Sequence, residues 1–256
     1  MFNNIIVLVL KTRQISIMSI KEVILPDYKL KHELANSITH GLTALFGIVA
    51  LILMLLKINN IFAPNEIHIS SSDYIYSIIS CSIYGFSIIV TMTISTIYHA
   101  LKKNNGKRVL RILDHDFIFF LVAGTYTPYS LISLRTAPLW GIESINYSGW
   151  IIFALVYSLI TLGIIMNSIN IKKYSTLSMC IYLLAGWCII LNCVELINVI
   201  SLNGFILLLS GGISYSIGAI LYGIGKKKSV WWHTVFHVFV SVGVVLQFLS
   251  IYLYVL

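Results

Sequence analysis

The chain has 256 residues, of which 58% are hydrophobic and only 10% are charged, and its mean hydropathy is +0.92. This composition lies far from that of an average water-soluble domain and excludes that class. A formal net charge of +8 could indicate nucleic-acid binding. The basic residues, however, are confined to a few connections between apolar stretches, which argues against nucleic acid as a partner.

Seven apolar stretches of about 20 residues follow one another, each long enough to cross a hydrocarbon core of about 30 Å. They lie at 37–57, 76–101, 112–133, 149–167, 176–198, 204–224 and 231–255. Their hydrophobicity is nearly continuous, without the alternation that is typical of barrel strands. The sequence therefore predicts an all-α fold, a polytopic membrane protein with a seven-transmembrane helix bundle as a single domain over residues 28–256.

The positions of the basic residues predict the orientation. Fifteen of the 17 Lys and Arg lie before the first stretch or between the second and third, fourth and fifth, or sixth and seventh. Only Lys57 and Arg135 lie in the other connections. The positive-inside rule then places the N-terminus in the cytoplasm and, after seven crossings, the C-terminus outside.

Residues 1–27 are predicted to form a cytoplasmic N-terminal tail. Its apolar run, Phe2 to Leu10, is followed rather than preceded by basic residues. No small-residue cleavage site follows either, so a signal peptide is not predicted. Met18 is an alternative start of the protein.

Three polar residues lie on one helical face that begins just before the first stretch. Glu33, Asn36 and His40 are spaced at i, i+3 and i+7. Glu33 and Asn36 could simply supply acceptors near the free amides of a helix start. His40 lies deeper in the apolar run, where that explanation does not apply.

Histidines at two distant places predict a metal site. His99 lies four residues after Ser95 at the end of the second stretch, and His233 and His237 have the same spacing at the start of the seventh. Two imidazoles at i and i+4 commonly hold a transition metal, and a third completes the three-ligand set of catalytic zinc. Any one of them could be an interfacial His. Several ionisable groups at one membrane depth favour a Zn²⁺ site.

Asp114 opens the third stretch on the same side of the membrane. Three roles are open to it: a helix-start carboxylate, a partner of Arg111, or a group that orients the water of the metal. His115 and Asp116 are predicted to point to other helical faces. Asn192 and Glu195 lie in the fifth stretch, toward its outer side. Glu195 could be a hydrogen-bond partner that faces the bundle or part of a substrate path.

Two segments have an architectural interpretation. Pro128, which follows Gly124-Thr125-Tyr126-Thr127, is predicted to kink the third helix, with the hydroxyls bonding the freed carbonyls. In the sixth stretch, the small residues of 211–223 are predicted to allow close helix packing.

Five motifs, taken together, resemble the hemolysin III family, the bacterial branch of the progestin and adipoQ receptor superfamily. They are Glu33 to Gly41, Ser95 to His99, Leu113 to His115 with Ala123 to Tyr129, Gly211 to Ala219, and His233-x3-His237. The resemblance covers the chain from about residue 28 to its end. It implies a seven-helix bundle in the bacterial inner membrane, with zinc held by His99, His233 and His237. It also implies that Asp114 bonds the water of the metal and that Ser95 lines the site.

The resemblance and the residues together predict a zinc-dependent hydrolase of lipid amides or esters that acts in membrane lipid homeostasis. Asp114 and Ser95 would be catalytic, Glu33, Asn36 and His40 would support the site, and membrane lipids would be the partners. One alternative is a non-catalytic homeostasis or sensor protein with structural zinc. A pore-forming cytolysin is a further alternative, but a strong positive-inside bias is typical of a resident membrane protein.

Overall fold

The computed structural model describes residues 18–59, 70–225 and 228–256, and the regular elements in these ranges are helices. The long helices are α1 (Leu30–Ile58), α2 (Ser71–Ala100), α3 (Asn105–Pro128), α4 (Ser148–Ile169), α5 (Ile171–Trp187), α6 (Cys193–Gly225) and α7 (Trp231–Ser250). Shorter helical turns span Ile20–Glu22, Tyr129–Ser133, Cys188–Asn192 and Ile251–Val255. The predicted all-α class is confirmed.

Within the described residues, five helical segments are long and apolar enough to cross a membrane. They are Leu30–Ile58, Ser71–Ala100, Ser148–Ile169, Ile171–Gly225 and Trp231–Val255. Helix α3 is not among them, because charged side chains occupy its first half. The protein is therefore a membrane protein with several apolar helices.

The long segment Ile171–Gly225 folds back on itself at Ser201. With φ 63° and ψ 165°, Ser201 has a non-helical backbone that interrupts the segment. On either side of it, the Trp187 Nε1–H donates to Ser216 Oγ at 3.1 Å, and Met179 lies beside Gly223. The two arms therefore run antiparallel.

The helices expose many apolar side chains, unlike those of a soluble protein, and bury polar side chains alongside an apolar core. On α1, Leu34, Ile38 and Leu42 are exposed, whereas Asn36 and His40 are buried. An apolar outer face costs nothing in contact with lipid tails, whereas buried polar groups need partners inside the bundle. The buried polar side chains are therefore the candidates for functional residues.

Helix α1 lies between α2 and α7 and positions the candidate site. It is antiparallel to α2, where Ser37 Oγ donates to the Thr96 carbonyl at 3.2 Å. It is parallel to α7, where Thr43 Oγ1 donates to Ser241 Oγ at 2.6 Å. Because α1 is antiparallel to α2 and parallel to α7, the last turn of α2 and the first turn of α7 both lie beside the start of α1, at the same end of the bundle.

The architectural predictions are confirmed in part. A Cβ on Gly211 or Gly218 would lie under 3.0 Å from Gln247 or Phe239 of α7, so α6 and α7 pack closely there. A Cβ on Gly212, in contrast, would meet no atom of another helix within 4 Å among the described residues.

The segment around Pro128 departs from its prediction in one detail. Thr125 and Thr127 donate to the carbonyls of Leu121 and Ala123, and a π-helical turn follows Pro128. Neither hydroxyl donates to the carbonyl of Gly124, the one that Pro128 leaves without an N–H.

Asn192 has a structural role at the other end of the bundle. Its Nδ2 donates to the Pro138 carbonyl and to Ser148 Oγ, each at 2.9 Å, and its Oδ1 accepts from the Trp140 N–H at 3.0 Å. These bonds hold the connection between α3 and α4.

Candidate metal centre

Three buried imidazoles converge where α2 ends and α7 begins. The Nε2 atoms of His233 and His99 are 3.2 Å apart, and those of His237 and His233 are 3.1 Å apart. Their ligand atoms all lie within 4.8 Å of one another. The i, i+4 spacing of His233 and His237 places both rings on one face of α7, as predicted.

This donor set fits a metal ion with tetrahedral nitrogen ligands. Zn–N bonds of about 2.0–2.1 Å place tetrahedral ligand atoms about 3.3 Å apart, close to the separations of these Nε2 atoms. An N–H proton can bridge only one pair of these nitrogens at a time, whereas a metal cation can accept a lone pair from all three. The three histidines could therefore hold a metal ion.

Glu33 sets the tautomer of His99. One oxygen of its carboxylate, Oε2, lies 2.7 Å from His99 Nδ1. A carboxylate only accepts hydrogen bonds, so Nδ1 carries the proton and Nε2 keeps its lone pair toward His233. This carboxylate–histidine pair is the usual arrangement behind a metal-binding imidazole.

Lys107 completes this arrangement from α3. Its Nζ donates to Glu33 Oε1 at 2.5 Å and to the Leu101 carbonyl at 2.8 Å. The Lys107 side chain is only 2% exposed. A buried carboxylate is costly unless it is paired, so Lys107 stabilises Glu33 in the position that orients His99.

Asn36 and His40 connect α1 to the same cluster. Asn36 Oδ1 accepts from Thr234 Oγ1 at 2.6 Å, next to His233 in sequence. The His40 ring stacks on that of His237, with centroids 3.6 Å apart and planes 10° apart. Both residues are buried, so they support the cluster by fixing α7 against α1.

A cavity begins at the histidine cluster and continues between the helices. His233, His237 and His40 line one end together with Ser95 and Asp114. Its walls are largely apolar, from Met92, Ile118, Leu121, Val122, Leu183, Phe236 and Val240. Its volume of about 100 Å³ exceeds the water-sized gaps of ordinary protein interiors. The site thus combines a polar end with an apolar chamber.

The structure narrows the roles that the sequence left open for Asp114. Helix α3 begins at Asn105, capped by Asn104, so Asp114 lies about 2.5 turns inside it rather than at its start. No ion pair joins Asp114 to Arg111. Its buried carboxylate lines the cavity instead.

The two residues after Asp114 differ from each other. His115 lines the cavity, contrary to the expectation that it would face elsewhere. Asp116 does face elsewhere: its carboxylate accepts from Asn167 Nδ2 at 2.7 Å and from Ser168 Oγ at 2.9 Å on α4.

Comparison with known proteins decides the family. The family described as "Haemolysin-III related" matches residues 28–248 of this chain. The chain belongs to the haemolysin-III-related family. The resemblance carried by its motifs is thereby confirmed.

Members of this family from two bacilli are similar to the chain over nearly their whole length. "Hemolysin-3" of Bacillus cereus is 34% identical over 227 residues, which cover 89% of this chain and 93% of that protein. "Hemolysin-3 homolog" of Bacillus subtilis (strain 168) is also 34% identical over 227 residues, with 89% and 96% covered. A more distant relative is the human "Monocyte to macrophage differentiation factor", 24% identical over 193 residues, with 72% and 73% covered.

Two residues of the centre of this haemolysin-III-related protein were not singled out from the sequence. Lys107 lies in a basic cluster that was used only to assign orientation. Tyr28 lies before α1, and its ring stacks on His233 with centroids 5.5 Å apart and planes 13° apart. Burial raises the pKa of the Tyr28 phenol, so its ring covers the cluster in the neutral form. Neither residue has a sequence pattern that could have revealed it.

Proposed function

We propose that this protein is a zinc-dependent hydrolase that cleaves an amide or ester bond of a membrane lipid. The observation that carries the proposal is the convergence of three histidine Nε2 atoms at the polar end of an apolar-walled cavity. A lipid has the same division into a polar reacting group and an apolar chain. The cavity therefore matches the class of substrate as well as the chemistry.

His99, His233 and His237 would hold the zinc ion. When bound, zinc supplies a Lewis acid that polarises a carbonyl oxygen and activates a water for attack. A zinc site would also explain why Glu33 lies next to His99. Its carboxylate bonds Nδ1 of the His99 ring and so leaves the lone pair of Nε2 free to bind the metal.

Two cavity side chains would carry out the remaining chemistry. The carboxylate of Asp114 would accept a proton from the attacking water and return it to the leaving group. Ser95, only 1% exposed, has a hydroxyl without a hydrogen-bond partner among the described residues. A buried unpaired hydroxyl is costly, so we assign it to bonding the polar group of the substrate.

The proposed topology has seven crossings with a cytoplasmic N-terminus. The fold-back at Ser201 divides Ile171–Gly225 into two crossings, and α3 with its π-helical turn supplies another. The parallel directions of α1 and α7 support an odd number of crossings. Together with the basic connections, this topology places the metal centre near the cytoplasmic leaflet of the bacterial inner membrane.

The test is hydrolysis of a fluorescent ceramide, a lipid amide, by the purified zinc-loaded protein in lipid nanodiscs. We expect Asp114→Asn to keep its zinc and its thermal stability while losing about 10²–10⁴-fold in rate, as loss of a general base does. Asp116→Asn is the matched control, because it changes a buried carboxylate that faces α4 instead of the cavity. An active, zinc-loaded Asp114→Asn protein would refute this role.

The second candidate is a non-catalytic membrane protein with structural zinc. It is favoured by one observation: the three histidines come from two helices that are far apart in sequence, so a bound metal would tie α2 to α7. In that case Asp114→Asn would leave the physiological role intact, whereas loss of zinc would abolish it.

The name of the Bacillus relatives also raises cytolysis, and release of haemoglobin from erythrocytes by the purified protein would support that alternative.

A further inference from the structure

A second cavity lies at the same end of the bundle as the metal centre. It has a volume of about 330 Å³ and lies between α3, α4 and α5. Met18, Ile24 and Pro26 line it from the segment before α1, where the Met18 N–H donates to the Ile169 carbonyl at 3.0 Å. Tyr182 and Tyr222 line both this cavity and the first one. It is a separate chamber next to the metal centre.

The charge of this cavity is positive. Arg111 and Lys172 line it, and no carboxylate does so among the described residues. Neither cation is in an ion pair or a side-chain hydrogen bond within the described part of the chain. Arg111 is only partly exposed, and a cation in that environment is stabilised by an anion.

Two buried polar atoms in this cavity have no hydrogen-bond partner among the residues that the structure describes. Ser178 is 6% exposed, and its hydroxyl makes no hydrogen bond within that part of the chain. Asn167 is 1% exposed, and its Nδ2 donates to the Asp116 carboxylate, which can only accept. That bond fixes the orientation of the Asn167 amide and leaves its Oδ1 as an unpaired acceptor. A fitting ligand therefore presents acceptor oxygens and also one donor.

The start of α5 adds to the attraction for an anion. Ile171 and Lys172, its first two residues, line the cavity, and Ser175 and Thr176 follow one turn later. Helix N-termini direct unpaired backbone N–H groups and a partial positive charge outward. Within the described residues the Asn170 side chain accepts from the Lys173 N–H alone, which leaves the N–H groups of Ile171 and Lys172 available to a ligand.

We propose that this cavity is a phosphate pocket, formed by Arg111, Asn167, Lys172, Ser175, Thr176 and Ser178. Its ligand would be a phosphate ester that also carries a hydroxyl group, whether a phospholipid headgroup or a soluble ester. The Arg111 guanidinium suits phosphate because its parallel N–H groups can bind two oxygens at once. A carboxylate group offers fewer acceptor oxygens than a phosphate group for the same set of donors. The phosphate pocket does not require that the metal centre hydrolyse anything.

The first experiment compares binding of two probes to the full-length, zinc-loaded protein. One probe is glycerol phosphate, added to protein in phosphatidylcholine nanodiscs and followed by isothermal titration. The other is phosphatidylglycerol, included in the nanodiscs and followed by native mass spectrometry of lipids retained by the protein. Saturable binding of either probe supports the phosphate pocket and identifies the source of the phosphate. Saturable binding of neither overturns it.

The second experiment uses variants to test whether the phosphate probe binds in this cavity. We expect the double variant Arg111→Gln, Lys172→Gln to weaken binding about tenfold or more, since two charge-assisted bonds are lost. Lys173→Gln is the matched control, because Lys173 is adjacent and exposed but does not line the cavity. Ser178→Ala keeps every charge and should weaken binding a few-fold, which covers the case in which the double variant does not fold. Equal effects of Lys173→Gln and the double variant would contradict the proposal. The zinc content of each variant is measured as well. A variant that loses binding of the phosphate probe but keeps its zinc has lost the phosphate pocket and not the metal centre.

Discussion

Glu33 shows how one side chain can connect three helices at the candidate centre. It lies in the first turn of α1, bonds His99 of α2 through one oxygen, and accepts from Lys107 of α3 through the other. Either bond alone would leave a buried group unpaired. Glu33 is therefore a positioning residue for the metal ligands.

We predict that Glu33→Gln weakens zinc binding. The amide is uncharged, so it holds the His99 N–H less strongly and leaves the Lys107 cation without its counter-charge. Loss of such a supporting carboxylate costs about 10–100-fold in metal affinity. The measurement is competition for zinc with a chromogenic chelator in detergent.

Glu22→Gln is the control for that prediction. Glu22 is exposed, and its carboxylate accepts from the Ser19 N–H alone among the described residues. It tests the effect of removing one negative charge at the same end of the chain. If Glu33→Gln and Glu22→Gln bound zinc equally well, Glu33 would have no positioning role.

The residue types of the centre could be predicted from the sequence, but their connections could not. Spacing was enough to pair His233 with His237, because both lie on one helix. Nothing in the sequence indicates that Lys107, one of five basic residues between the second and third stretches, turns inward to Glu33. That contact depends on how α1 and α3 are placed, which is a property of the whole bundle.

At the scale of elements, close packing of α6 against α7 depends on single glycines. A Cβ on Gly211 would lie 2.6 Å from Gln247 Cγ and 3.1 Å from the Gly243 carbonyl oxygen. A Cβ on the next residue, Gly212, would meet no atom of another helix within 4 Å in the described part of the chain. Two adjacent glycines thus have different surroundings, which the motif alone does not reveal.

We predict opposite effects of alanine at these two positions. Gly211→Ala forces α7 to shift and should lower the free energy of unfolding by about 1–3 kcal/mol. Gly212→Ala should be neutral or raise it by about 0.5–1 kcal/mol, because alanine loses less chain entropy in a helix. Thermal unfolding of the two purified variants in the same detergent measures the difference. A lower melting temperature for Gly212→Ala than for Gly211→Ala would show that the contact is not tight.

Helix boundaries show the limits of prediction at this scale. The apolar stretch at 112–133 identified the third helix, but α3 begins earlier, at Asn105. Hydrophobicity marks where a helix enters the apolar interior, whereas the N-cap of Asn104 marks where it begins. The break at Ser201 was anticipated only as a gap between two stretches.

At the scale of the whole molecule, the basic connections and the parallel α1 and α7 support one topology. We predict that a reporter fused after Leu256 is active only outside the cytoplasm, whereas one inserted after Lys173 is active only inside. Lys173 is a suitable insertion point because it is exposed beside the start of α5. Activity of both fusions on the same side would contradict seven crossings.

The central claim is that the three histidines hold zinc, and the most direct measurement is the metal content of the purified protein. Elemental analysis by mass spectrometry should find about one zinc per chain in the wild type, as expected for a single three-histidine centre. The double variant His233→Ala, His237→Ala should lose nearly all of it, and its melting temperature should fall because bound metal stabilises the folded state. His32→Ala is a control, since His32 is a buried histidine of α1 that bonds the Lys29 N–H and lies outside the cluster. Full zinc occupancy in the double variant would contradict the account.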